Sequence, residues 1–200
     1  MKKLILLCFV LALSSVHAAV PKVFISKEIF KKMPFSTQYK EDGALIMNVN
    51  HAAVKALIPQ LNSIYQVNLE DRKESHITIL TPPEFKDAMK KVFTIDEIIG
   101  HYGKHIQNIP FGLLCVGYRK SMDSLNQVFY LVVKSPTLFN LRTDLYAEAK
   151  ARALKKQVPL VFRPEVYSPH ITIGYVGNDV HDYTKGPESC LPNLELVLRD

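Results

Sequence analysis

The sequence predicts an α+β fold in two pseudo-symmetric lobes, each an antiparallel sheet with helices packed on its outer face and a cleft between them. Three observations lead there. A strand–helix–strand order runs from 44 to 80 and again from 128 to 176. Each run ends in the same tetrapeptide, His76-Ile77-Thr78-Ile79 and His170-Ile171-Thr172-Ile173. No low-complexity tract or Gly/Ser linker divides the chain, so the short mixed elements share layers around a common core.

The elements follow in order. Residues 44–50 read as a strand with apolar Leu45, Ile46, Met47 and Val49. Ala53, Ala56, Leu57, Leu61 and Ile64 recur at helical spacing and predict a helix over 51–65, with Pro59 imposing a kink or early break. The first motif strand, 75–80, is halted by Pro82-Pro83, and 84–93 reads as a short helix. Residues 111–119 and 128–134 are apolar strands, and the polar stretch between them predicts an antiparallel hairpin. Leu138, Leu141, Leu145, Ala149 and Leu154 predict the longest helix, over 138–156. Pro159 and Pro164 bound a loop before the second motif strand, 170–176, and 194–198 reads as a closing strand. The segment 93–110 is left unplaced.

Residues 1–18 are read as an export signal. Lys2 and Lys3 precede an apolar run from Leu4 to Leu13, and Val16-His17-Ala18 supplies small residues for cleavage after Ala18. The run is short for a bilayer span, which makes an uncleaved anchor the weaker alternative. The chain from 19 to 200 is then expected to be one bilobal domain, exported to a periplasm or secreted, monomeric and free of the membrane. Loss of the two lysines lowers the formal net charge from +6 to +4. That mild excess suits an anionic substrate and falls short of a nucleic-acid-binding stripe. Cys115 and Cys190 remain. An exported protein can pair them, but Cys115 in Leu113-Leu114-Cys115-Val116 is equally reasonable as a buried thiol.

The chemistry lies in the repeated motif. Alternate side chains of a strand emerge on one face, so His76 and Thr78 point together, as do His170 and Thr172. The two copies lie 94 positions apart and meet only if the two units face one another. The cleft then presents two imidazoles, whose ordinary pKa of about 6.5 lets them take or give a proton near neutrality. Thr78 and Thr172 offer hydroxyl donors to oxygens that gain charge. Cleaving a phosphodiester needs that set: a base on the attacking oxygen, an acid on the departing one, and donors between. A metal is not expected, because threonine hydroxyls are poor partners for a zinc-binding histidine pair. A non-catalytic nucleotide- or RNA-binding module is the rival reading, and the intact histidines argue against it.

The paired motifs resemble the H-x-T/S-x signature of the 2H (two-histidine) phosphoesterase superfamily, which includes LigT-like RNA 2′,3′-cyclic phosphodiesterases and 2′,5′-phosphodiesterases. Pro169 before His170 resembles its second motif, and the element order is similar from 44 to 198. The resemblance implies a cofactor-free phosphodiesterase acting on 2′,3′-cyclic phosphates at RNA ends, or on small or 2′,5′-linked nucleotides. His76 would act as proton donor and His170 as acceptor, with Thr78 and Thr172 on phosphate oxygens. An export signal departs from the cytoplasmic LigT-like enzymes.

Tyr175 stands at an odd offset from His170, so a regular strand turns it away from the histidine face. A curved strand end or a bulge would bring it to the cleft rim as a substrate-binding residue that stacks on a base. His101 and His105, four apart, read as solvated surface. Tyr118 and Arg119 read likewise, as does the basic outer side of the long helix at Lys150, Arg152, Lys155 and Lys156.

Overall fold

The computed structural model describes residues 19–181 and 183–200; the export-signal reading of 1–18 falls outside them. The chain opens with β1 (Lys22–Ser26) and β2 (Leu45–Asn48), followed by α1 (His51–Lys55) and α2 (Ile58–Tyr65). Next come β3 (Glu70–Asp71), β4 (His76–Leu80) and the short helices α3 (Pro82–Asp87), α4 (Ile95–Ile98) and α5 (Lys104–Ile106). The second half holds β5 (Gly112–Lys120), β6 (Gln127–Lys134), α6 (Pro136–Lys156), β7 (His170–Val176) and β8 (Glu195–Arg199).

These elements form the expected α+β fold. β2 pairs antiparallel with β4, and β3, β7, β6 and β5 form a four-stranded antiparallel sheet in that order. Two features were not foreseen. β1 is a strand, and it pairs in parallel with β8, Lys22 opposite Glu195 through Ser26 opposite Arg199. Also, β3 precedes the first motif strand in sequence yet joins the edge of the second motif strand, Glu70 opposite Tyr175 and Asp71 opposite Gly174. Gly174 makes this possible: a Cβ there would lie 2.8 Å from the Glu70 carbonyl oxygen.

Local signals account for the helix boundaries. The predicted 51–65 helix breaks between Lys55 and Ile58, because Pro59 has no N–H to close a helical turn and instead occupies the first turn of α2. Pro82-Pro83 starts a helix as well as ending the strand. Thr81 and Glu84 form a reciprocal capping box around the two prolines, which need no donors in a first turn. The helix expected over 84–93 is correspondingly shorter, with a 3-10 turn at Met89–Lys91. The unplaced 93–110 segment is α4, a π-helical turn at Ile99–Gly103, and α5. In α6 the buried stripe is Leu138, Leu141, Arg142, Leu145, Ala149 and Ala153. Leu154 falls off that stripe and is 72% exposed, a correction to its predicted core role.

One main core fills the space beneath the motif strands. Ile77 and Ile79 of β4 and Ile171 and Ile173 of β7 are all buried in it, with Phe129, Leu131 and Val133 of β6 and the α6 stripe. Full burial of such side chains contributes about 1.5–3 kcal/mol each. The strand period of two therefore sends the histidine and threonine of each motif to the opposite side.

Candidate active site

β4 and β7 approach one another, and a cavity of about 880 Å³ opens above them. His76 and Thr78 from one strand and His170 and Thr172 from the other line it. Neither threonine hydroxyl is engaged by another described residue, so both are available to a ligand. The loop before β7 is tied to β4 by the Tyr167 hydroxyl, which donates to the Thr78 carbonyl at 3.1 Å. Beneath, Arg142 donates to the Ile79 carbonyl at 2.5 Å and pairs with Glu84 at 2.6 Å. Its guanidinium also stacks on the rings of Phe162 and Tyr167. All its obvious partners are protein groups, so it braces the wall.

The two histidines are held differently. His76 Nδ1 lies 2.6 Å from Glu74 Oε2. A carboxylate only accepts, so Nδ1 carries the proton, and Nε2 is left free on a ring that lines the cleft. Glu74 Oε1 accepts from the Tyr39 hydroxyl at 2.7 Å and from Arg72 Nε at 2.8 Å. Burial raises the Glu74 pKa, but the bonds and charges of His76, Tyr39 and Arg72 outweigh it and hold the carboxyl below its ordinary value. The Tyr39 ring also meets His76 edge-on, centroids 5.2 Å apart. An imidazole backed by a carboxylate can carry a second proton and give it up from Nε2.

His170 Nδ1 lies 2.8 Å from the Ser168 carbonyl oxygen. The carbonyl again fixes the proton on Nδ1, leaving Nε2 with a lone pair toward the cleft. Burial first, and the Lys185 charge second, push the His170 pKa down to about 3. The ring is thus neutral at ordinary pH, with its Nε2 lone pair unprotonated. Tyr130 meets it edge-on, centroids 5.6 Å apart. Tyr130 in turn needs Gly117 behind it, since a Cβ there would come 2.4 Å from the tyrosine ring.

A chain of charges links the two sides. Arg72, bound to Glu74, also donates to Asp179 Oδ2 at 3.1 Å. Asp179 Oδ1 accepts from Lys185 Nζ at 2.9 Å. Asp179 is held below its ordinary pKa: burial alone would raise it, but Lys185, His181 and Arg72 together prevail.

The structure brings His76, Thr78, His170 and Thr172 into one cavity. Tyr175 is placed otherwise than a regular strand predicts. Ile173 is an extra residue in β7, because Phe129 pairs with Gly174 and Tyr130 with Thr172. That bulge turns Tyr175 to the histidine face. It nevertheless packs on Val128, Tyr130, Val132 and Val180, outside the cleft lining. His101 and His105 are exposed on the π-turn and α5. Arg119 is more than surface: its Nε donates to the Thr184 carbonyl at 3.0 Å and its guanidinium pairs with Glu188 at 3.0 Å. Tyr118 donates to Gln127 at 3.1 Å. On the outer side of α6, Lys150, Lys155 and Lys156 are exposed, while Arg152 pairs with Glu97 and Glu148. Cys115 and Cys190 form a disulfide, which decides the alternative the sequence left open.

Sequence reasoning did not pick out Glu74, Arg72, Tyr39, Asp179 or Lys185. Glu74 had a signal, since two positions before His76 on an extended chain puts both on one side. The others come from loops and have none.

Fold and site together define a phosphoesterase-type hydrolase, with two imidazoles and two hydroxyls converging from separate strands. The profile of 2H-SAK, described as "Swiss Army Knife, 2H phosphoesterase domain", matches residues 44–181. That is more than half of the 200 residues, and the chain belongs to the 2H phosphoesterase family. No curated protein and no solved structure matches the chain.

Proposed function

We propose that the protein is an exported, metal-independent phosphodiesterase that opens 2′,3′-cyclic phosphates at RNA ends or on small nucleotides, with His170 as base and His76 as acid. The observation that carries the assignment is the difference in what holds each Nδ1: a neutral carbonyl for His170, a carboxylate for His76. His170 Nε2 takes a proton from water as its oxygen bonds to phosphorus. The bond from phosphorus to the departing ribose oxygen breaks, and His76 Nε2 delivers a proton to that oxygen. Thr78 and Thr172 donate to non-bridging oxygens. Solvent then returns both rings to their starting states.

Support for a metal-free route comes from the donor set: the threonine hydroxyls that share the cavity with the two histidines are poor zinc ligands, and no group of three or more His, Cys, Asp or Glu among the described residues could hold a metal ion. The Cys115–Cys190 disulfide supports an oxidising compartment. The volume of about 880 Å³ is near the upper end of small-ligand pockets. That roominess favours 2′,5′-linked oligonucleotides as the second substrate class.

The test is turnover of 2′,3′-cyclic nucleotides and 2′,5′-oligoadenylate in the presence of chelator, with product identification. His76→Ala and His170→Ala should each lower kcat by on the order of a hundred- to ten-thousandfold. Wild-type turnover in either variant would overturn the two-histidine mechanism. Activity abolished by chelator would overturn the metal-free route, and binding without any product would leave a nucleotide-binding module.

A further inference from the structure

Among the described residues two arginines and one lysine line the cleft, and the arginines are spoken for. Arg72 bridges Glu74 and Asp179. Arg142 is occupied by Glu84 and by main-chain carbonyls. Lys185 differs. It is only 4% exposed, so its ammonium has lost most of its water, a cost that needs compensation. Among the described residues Nζ makes one hydrogen bond, to Asp179, and Asp179 is shared with Arg72. The ammonium also lies 5.5 Å from the centroid of the Tyr130 ring, the ring that meets His170 edge-on. A lysine has three N–H donors, which leaves two without a partner among the described residues, in the cavity that His170 and Thr172 also line.

The position is fixed from both sides. Arg119 holds the Thr184 carbonyl and Glu188. Glu188 Oε1 also accepts from the Thr184 hydroxyl at 2.9 Å and from the Gly186 N–H at 3.2 Å. Past the lysine, Ser189 N–H donates to the Gly186 carbonyl at 3.0 Å, and the Cys190 disulfide ties the segment to β5. Such bracing is what a preorganised donor requires. Lys185 lies beyond residue 181, where the family match ends.

We propose that Lys185 is a third phosphate-binding group, giving its two open N–H donors to non-bridging oxygens beside those held by Thr78 and Thr172. The inference rests on the phosphodiesterase reading above and adds a substrate preference to it. Opening a cyclic diester, which carries one negative charge, yields a monoester that carries up to two. Charge on the phosphoryl oxygens therefore grows along the reaction, and a fixed ammonium stabilises the later states most. The site should accordingly hold phosphomonoester products and inorganic phosphate, and prefer them to neutral nucleosides.

The experiment uses the full chain with 2′,3′-cyclic uridine monophosphate as substrate and 3′-uridine monophosphate as competitive inhibitor. Lys185→Met should lower kcat by on the order of a hundredfold with a smaller change in KM, and weaken inhibition by the monoester at least tenfold. Lys185→Arg should recover part of both. A Lys185→Met protein that unfolds like wild type yet keeps kcat within about threefold overturns the proposal. Should the single variant fail to fold because Asp179 is left with less compensation, Lys185→Met/Asp179→Asn removes both charges and is read against Asp179→Asn alone, since Asp179 also holds Arg72. If the wild type turns over no cyclic nucleotide, the functional reading falls by itself. Titration calorimetry with inorganic phosphate on wild type and Lys185→Met then decides this site: an unchanged Kd overturns it, and a tenfold weaker one sustains it.

Discussion

Lowering the pH should cost this fold stability that can be traced to one imidazole. In the folded chain burial and the nearby Lys185 charge hold the His170 pKa down to about 3, against an ordinary 6.5. Between those values the unfolded chain binds a proton that the folded chain refuses, so stability falls as pH falls through that window. It is complete above the unfolded value and lost by the folded one. Between about pH 8 and about pH 4.5 the loss from this group is at most ~3 kcal/mol, since each tenfold of proton affinity is worth about 1.4 kcal/mol. The assay is urea unfolding at several pH values in that range, for wild type and for His170→Gln, whose amide can still donate to Ser168. Glu74 and Asp179 also titrate with lowered values, but both proteins carry them, so the difference isolates His170. Wild type should lose about 2–3 kcal/mol more than the variant. Parallel stability curves would refute the claim that the fold keeps this ring neutral. The same neutrality predicts that the acid limb of kcat/KM, the one reporting the base, lies well below the ordinary histidine value.

Two further outcomes follow from neighbouring groups. Glu74→Gln removes the charge from the bond to His76 Nδ1, and losing a charge-assisted hydrogen bond of about 1.5–3 kcal/mol should lower kcat roughly ten- to a hundredfold. Steady-state kinetics on the same cyclic nucleotide checks it, and a wild-type kcat would show that Glu74 only supports the fold. Replacing Cys115 and Cys190 with serine opens a loop whose ends are 75 residues apart. Chain-entropy reasoning puts the cost at about 4 kcal/mol. Urea midpoints of the double variant and of reduced wild type should fall together, and an unchanged midpoint in both would refute it.

Most of the secondary structure was legible before folding because it depends on local periodicity. Alternation in His-Ile-Thr-Ile fixed which residues face the core, and four-residue spacing marked α6. Errors arose where sequence neighbours gave too little information. Leu154 satisfied a loose apolar pattern but missed the i+4 stripe that runs through Leu145, Ala149 and Ala153. Pro82-Pro83 ends the strand as expected, but the Thr81–Glu84 capping box also makes it the start of α3, two residues before the expected helix. Tyr175 was assigned to the wrong face because one bulged residue reverses a period of two.

The sequence by itself determined the α+β class and the side of each strand on which the paired His and Thr emerge, since both follow from backbone geometry within a few residues. Only the tertiary structure decided how each imidazole is tuned. Ser168, Glu74, Arg72, Asp179 and Lys185 act on the two rings through space, and burial and Coulomb interactions depend on distances that no local pattern encodes.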